Sequence, residues 1–201
     1  MILPFFISKN ILLTSAHNVT KLLFHSLNRI TIFPARIRDK KEFDSLRFKV
    51  NYELNIRYPE EYSYRRNNTH NGNDWALIYI NDAVINSLPR QKEIEYLKLL
   101  EDESFKVGDT LYCAGYPAFK EYQNQYVMTM DTSIVTRINT DYFEHSLKTV
   151  PGNSGSPIMV KRGNEFYVVG VNSIIYKGTW LNTDKQRKIK EWIKNLEEIN
   201  K

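Results

Sequence analysis

Apolar residues along this chain fall mostly in short runs, each closed by Asn, Asp, Gly, Ser or Pro, and that spacing is the signature of β-strands. Phe5-Phe6-Ile7 and Ile11-Leu12-Leu13-Thr14 flank the polar turn Ser8-Lys9-Asn10, which predicts a hairpin leading straight into Ser15-Ala16-His17. Further strands are expected over residues 31–37, 48–54 and 75–80, with the Asn- and Arg-rich stretch 64–73 as a surface loop. Between residues 89 and 103 the pattern changes. Ile94, Leu97 and Leu100 recur at helical spacing amid Lys and Glu, which predicts a helical turn or linker. Strand texture returns over 111–114, 126–130, 133–138, 157–160 and 166–171, the last pair joined by the turn Lys161-Arg162-Gly163-Asn164. At the C-terminus, Ile189, Trp192, Ile193, Leu196 and Ile199 form one apolar stripe, the pattern of an amphipathic helix packed on a body.

Composition adds bounds to this picture. With 201 residues and 42% hydrophobic content, the chain can bury a sizeable core. The net charge of +5 is dispersed over segments such as 36–41, Arg65-Arg66 and 185–190. A nucleic-acid footprint needs clustering on one face, so the charges read as solvated surface and no nucleic-acid partner is expected. Cys113 is the single cysteine, which excludes an intramolecular disulfide; within Leu111-Tyr112-Cys113-Ala114 it reads as a small buried apolar residue. Residues 1–7 are apolar but carry no basic leader or small-residue cleavage site, so no signal peptide is expected here. No stretch approaches the roughly 20 apolar residues of a membrane-spanning helix, and the C-terminal stripe is bordered by Glu as well as Lys, so no membrane partner is expected.

Three segments carry candidate chemistry. Ser154 lies in Pro151-Gly152-Asn153-Ser154-Gly155-Ser156-Pro157, where small residues place a hydroxyl in a tight loop just before a strand. Acyl transfer needs such a hydroxyl and two amide donors where a tetrahedral oxyanion forms; Gly152 and Ser154 would supply them. Taken alone, the same loop is equally an ordinary turn. His17 stands at the end of an apolar strand, where an imidazole could act as general base. Asp74 immediately precedes the strand Trp75-Ala76-Leu77-Ile78-Tyr79-Ile80, and a carboxylate buried there would require a partner such as a histidine N–H. The four histidines and one cysteine show no short ligand spacing, so neither a metal nor an organic cofactor is expected.

The three candidates occur in the order His, Asp, Ser, which is the order of the chymotrypsin triad. Leu13-Thr14-Ser15-Ala16-His17, Asn73-Asp74-Trp75-Ala76-Leu77 and Gly152-Asn153-Ser154-Gly155-Ser156-Pro157 resemble the signature segments of the chymotrypsin-like serine proteases. Gly115-Tyr116-Pro117, Pro151 to Pro157 and Val169-Gly170-Val171 further resemble the V8-like glutamyl endopeptidase branch. The resemblance runs from about Phe5 to the terminal helix. It implies an all-β fold of two antiparallel six-stranded barrels with the active site between them, closed by a C-terminal α-helix. The implied layout is a first barrel in residues 1–92, a linker in 93–104, and a second barrel plus helix in 105–201. His17, Asp74 and Ser154 would be the catalytic residues, with the amides of Gly152 and Ser154 as oxyanion hole. The implied partner is a protein or peptide substrate, cleaved through an acyl-enzyme, and the resemblance also implies secretion.

Some positions depart from that pattern. The family carries a further strand ahead of the region matching residues 5–7, so the first barrel is expected to be short of one. Asn153 replaces the aspartate that pairs with a new N-terminus in the zymogen-activated branch, so no such ion pair is expected. Among candidate substrate-binding residues, Thr149 matches the hydroxyl residue that helps V8-like enzymes bind glutamate, Ser173 matches a buried hydroxyl near the triad aspartate, and Asn172 stands where the V8-like key histidine would be. Lys148 offers a positive charge to an acidic side chain or points to solvent, and Ile175 falls where a glycine normally borders the pocket. Asn18-Val19-Thr20 and Asn67-Asn68-Thr69 fit the glycosylation pattern, the first directly beside His17. The alternative is a silent protease-like module holding an extended peptide by strand addition.

Overall fold

The computed structural model describes residues 4–24, 29–32, 46–49, 51–62, 72–87, 94–101, 104–117 and 128–200. The expected N-terminal hairpin is present: strand β1 (Phe5–Ser8) pairs antiparallel with β2 (Ile11–Thr14), with Phe6 opposite Leu12. Helix α1 (Ala16–Phe24) follows directly, so His17 sits in the first turn of a helix and not at a strand end. Strands β3 (Arg29–Ile32) and β4 (Leu46–Lys49) form a separate two-stranded sheet. The strand expected over 48–54 stops at Lys49; helix α2 (Tyr52–Asn55) takes the rest, its backbone Asn51 and Glu53 amides each held by an Asn side chain. Then come β5 (Ile56–Arg57), β6 (Ala76–Tyr79) and the short α3 (Asp82–Asn86), capped by Asn81. Most of the expected 64–73 loop lies outside the described residues.

Strands β1, β2, β6 and β5 make one four-stranded sheet in that order. The apolar runs of β2 and β6 are unbroken because both of their faces are covered, the condition under which a strand loses its alternation. Leu12, Ala76 and Ile78 face one way, into a cluster with Phe6, Ala16, Val19 and Ile85. Ile11, Leu13, Trp75 and Leu77 face the other, onto Met159, Val168 and Val171 of the second half.

The stretch with helical spacing at Ile94, Leu97 and Leu100 forms no helix among its described residues. It carries the two-residue strand β7 (Lys98–Leu99), and the Leu97 amide donates to Phe6 O (2.9 Å). After it come β8 (Thr110–Gly115), β9 (Thr129–Ile138), β10 (Tyr142–His145), β11 (Pro157–Arg162), β12 (Glu165–Ile174) and β13 (Lys177–Trp180). These six run β11-β8-β9-β10-β13-β12, and β12 pairs back to β11, closing an antiparallel barrel; β7 adds in parallel on β12. Strands β10 and β13 carry no apolar run of their own, and only their pairing through Phe143 and Gly178 makes them strands.

The barrel interior is filled by Leu111, Val135, Phe143, Leu147, Ile158, Val160 and Val169. Phe143 has no exposed surface, and its ring occupies the space a side chain at Gly178 would need: a Cβ there would lie 2.6 Å from the ring. Helix α4 (Thr183–Ile199) closes the chain, started by Asn182, whose side chain accepts from the Lys185 amide (3.1 Å). Its stripe docks as expected through Ile189, Ile193 and Leu196, with Trp192 stacked on Trp75 at 4.8 Å; Ile199 instead remains exposed. Among the described residues no helix is long and apolar enough to cross a membrane.

Phe143→Ala is expected to cost about 3–5 kcal/mol, because the ring leaves a cavity bounded by two glycines that no neighbour can fill. A urea unfolding curve with a lowered midpoint and an unchanged slope checks this.

Candidate active site

The first turn of a helix leaves its backbone N–H groups without partners inside the helix. At the start of α1 this frees the amide of His17, which donates to Asp74 Oδ1 (2.8 Å), while the ring Nδ1 lies 2.7 Å from Asp74 Oδ2. Ser173, near the end of β12, donates its hydroxyl to the same Oδ2. Asp74 is only 5% exposed. Burial works against its charge and is the largest influence on it, but the ring, charge and amide of His17 together with the Ser173 hydroxyl outweigh burial and hold the carboxyl below its ordinary value. A carboxylate only accepts, so His17 Nδ1 must carry a proton; in the neutral form of the ring the lone pair is then on Nε2.

Ser154 belongs to a loop built on two glycines in the left-handed region, Gly152 (φ 100°) and Gly155 (φ 90°), where a side chain would be strained. The Asn153 amide donates to Val150 O (3.0 Å), the Ser156 amide to Asn153 O (3.1 Å) and the Gly155 amide to Asn172 O (2.8 Å). The amides of Gly152 and Ser154 donate to no acceptor among the described residues. The Ser154 hydroxyl lies 3.5 Å from Ser173 O, and no hydrogen bond joins it to His17 in this conformation. Such contacts are commonly long before substrate binds, and rotation about the serine Cα–Cβ bond moves the hydroxyl.

The fold thus brings His17, Asp74, Ser154 and Ser173 together from four separate segments. The remaining candidates lie outside this hydrogen-bonded group. Lys148 is exposed, and its amide is held by Asp131 Oδ2 (2.7 Å). Thr149 and Asn172 are buried, Asn172 donating its Nδ2 to Asn153 O (2.9 Å). Ile175 is exposed at the β12–β13 hairpin tip beside Tyr176, a non-glycine residue at φ 65°. Buried Cys113 is no nucleophile, since burial, reinforced by Asp131, pushes its thiol up to about 12. Among the described residues no group of three or more His, Cys, Asp or Glu side chains is placed to hold a metal ion.

Two residues escaped the sequence reading. Asn18 drew notice only as a glycosylation match, yet its Nδ2 donates to the carbonyl of Ser154 (3.0 Å) and to Thr14 Oγ1 (3.3 Å), linking helix α1 to the serine loop. Asn67 lies outside the described residues. His145 carried no recognisable motif in the sequence. It is 3% exposed, and burial pushes its imidazole down to about 4, leaving it neutral at neutral pH. Nothing in the local strings marked either, because both roles depend on strands joined across the fold.

The chain belongs to the trypsin-like peptidase domain family, whose model matches residues 5–171. Among solved structures it is similar to a Glu endopeptidase in complex with MPD, at TM-score 0.72 and 20% identity over 94% of this chain and 83% of that one. It is also similar to the crystal structure of Deg5, at TM-score 0.58 and 14% identity over 90% and 78% of the two chains. Both likenesses concern the fold.

Acid should destabilise the protein in two stages. The unfolded chain protonates His145 near 6.5, the folded chain only near 4, so stability is complete above pH 6.5 and is lost as pH falls to about 4, by roughly 3 kcal/mol. Asp74, whose carboxyl is depressed, adds a further loss below 3.8. Urea midpoints measured from pH 7.5 to 4 should fall, and His145→Leu should flatten the upper stage. Separately, Asn18→Ala removes the tie from α1 to the Ser154 carbonyl and is expected to lower stability by about 1 kcal/mol, read as a lower urea midpoint at unchanged slope.

Proposed function

We propose that the protein is a serine endopeptidase in which His17, Asp74 and Ser154 act as a triad. The observation that carries this reading is the His17–Asp74 pair, joined through both carboxylate oxygens and set beside a serine loop whose Gly152 and Ser154 amides remain undonated. Ser154 Oγ attacks the scissile carbonyl while His17 Nε2 takes its proton, and the negative oxygen that forms accepts from the amides of Gly152 and Ser154. His17 then protonates the leaving amine, and an ester on Ser154 remains. Water deprotonated by His17 opens that ester, releasing the acid and restoring the hydroxyl. Asp74 stays ionised throughout; its part is to hold the imidazole in the tautomer with Nδ1–H and to stabilise the imidazolium.

The family supports a protein or peptide substrate, and the V8-like motifs support a two-barrel reading. On this reading residues 1–92 correspond to the first barrel, of which a four-stranded sheet is described, and 105–201 to the second with its helix. Residues 93–104 join them, held along β12 through β7.

A fluorophosphonate probe is expected to label the folded protein at Ser154, and Ser154→Ala to remove both labelling and peptide hydrolysis, by about 10⁴-fold or more in kcat/KM. Peptide binding without labelling or turnover would replace this reading with the silent binding module.

A further inference from the structure

Among the buried polar side chains of the second barrel whose hydrogen-bonding capacity is unspent are His145, Thr149 and Asn172. Among the described residues, both ring nitrogens of His145, Thr149 Oγ1 and Asn172 Oδ1 have no partner, and the residues are 3%, 7% and 2% exposed. Burying a polar group without a partner forfeits its hydrogen bonds to water, so a cluster of them needs an explanation.

They belong to one corner of the barrel. Phe143 is opposite Gly178, and Gly178 is opposite Asn172, so these three form one row across β10, β13 and β12 and face the same way. A Cβ at Gly178 would meet the Phe143 ring and Ile158, so that face is the barrel interior. His145, two positions after Phe143, is buried with it, the ring centroids 6.0 Å apart, and its amide donates to Tyr176 O at the hairpin tip (3.1 Å). Thr149 follows the residue whose amide is held by Asp131, the carboxylate whose charge also reaches His145. From the opposite side, Asn172 is tied to Asn153 O, one residue before Ser154, which sets the corner beneath the serine loop.

The chemistry of the corner is specific. Asn153 O can only accept, so the Asn172 amide must turn its –NH₂ toward it and present Oδ1 as a lone-pair acceptor. His145, kept neutral by burial, offers one donor and one acceptor, and the Thr149 hydroxyl offers both. No cation is buried among them, and Lys148 is exposed. A carboxamide fits this set: its –NH₂ donates to Asn172 Oδ1 and its carbonyl accepts from His145 or Thr149. A carboxylate would set its charge against the Asn172 lone pairs with no compensating cation, and an ammonium would find no anion.

We infer that His145, Thr149 and Asn172 form a subsite for a carboxamide side chain, so that the peptidase cleaves after glutamine or asparagine in preference to glutamate or aspartate. This rests on the serine-peptidase reading above and names the side chain that reading leaves open.

The test is a set of peptide substrates identical except for the residue before the scissile bond: Gln, Asn, Glu, Asp, Leu or Lys. For the wild-type protein, kcat/KM for the better carboxamide substrate is expected to exceed that for each of the other four classes by about 100-fold or more, as in sites that hydrogen-bond one polar group and exclude its analogues. In His145→Leu and in Thr149→Val the carboxamide-to-leucine ratio is expected to fall by about tenfold or more. A wild-type preference for Glu, Asp, Leu or Lys overturns the inference, as does an unchanged ratio in both variants. Fluorophosphonate labelling of the same samples separates the two levels. Labelling and turnover without carboxamide preference overturn the subsite alone, whereas absence of both overturns the peptidase reading and the subsite with it.

Discussion

Burial of the Asp74 carboxylate is the constraint on which the rest of this structure turns. A charge so nearly removed from water persists only if hydrogen bonds and an opposite or polarisable partner compensate it. Every group that does so comes from elsewhere in the chain: the amide and ring of His17 from 57 residues upstream, the Ser173 hydroxyl from 99 residues downstream. The amide is available only because α1 begins at Ala16 and leaves its first N–H groups unbonded. Helix start, strand entry and the far end of β12 are therefore held in register by one carboxylate.

That register would mean little if the two halves of the molecule moved independently, and packing prevents this. Strands β2 and β6 lie between two clusters, with Leu12 and Ile78 facing the first and Ile11, Leu13 and Leu77 facing Met159, Val168 and Val171. Helix α4 seals the same junction through Ile189, Leu196 and the Trp75–Trp192 stack. Close packing of this kind yields little under strain. Asn18 adds a polar tie from the His17 turn to the Ser154 carbonyl, and Ser173 touches both Asp74 and Ser154, so short hydrogen bonds refine what the apolar contacts coarsely fix.

The interior of the second barrel shows the opposite balance. Phe143 fills the space over Gly178, while His145, Thr149 and Asn172 nearby carry polar atoms that have no partner among the described residues. A core selected for stability alone would place apolar side chains there. The cost of leaving such groups unpaired sits directly beneath the serine loop, where strain and unspent polarity commonly accompany function.

Local pattern was enough to determine the N-terminal hairpin, the strands beginning near Leu111 and Pro157, the long β12 and the terminal helix, since each has an apolar run or stripe of the correct period bounded by turn residues. The three segments around His17, Asp74 and Ser154 were legible only as an ordered set resembling a known family, since a tight glycine loop or a residue flanking an apolar strand is by itself a common local feature. Tertiary structure alone decided the rest. Ile94, Leu97 and Leu100 have helical spacing, yet pairing of Lys98–Leu99 with β12 draws the chain into a strand; β10 and β13, with few apolar residues, exist only by closing the barrel. His145 and Asn18 acquire their surroundings from residues far away in sequence. A sequence records the period of one segment at a time, whereas burial, hydrogen-bond partners and the protonation they impose are set by neighbours that only the closed fold supplies.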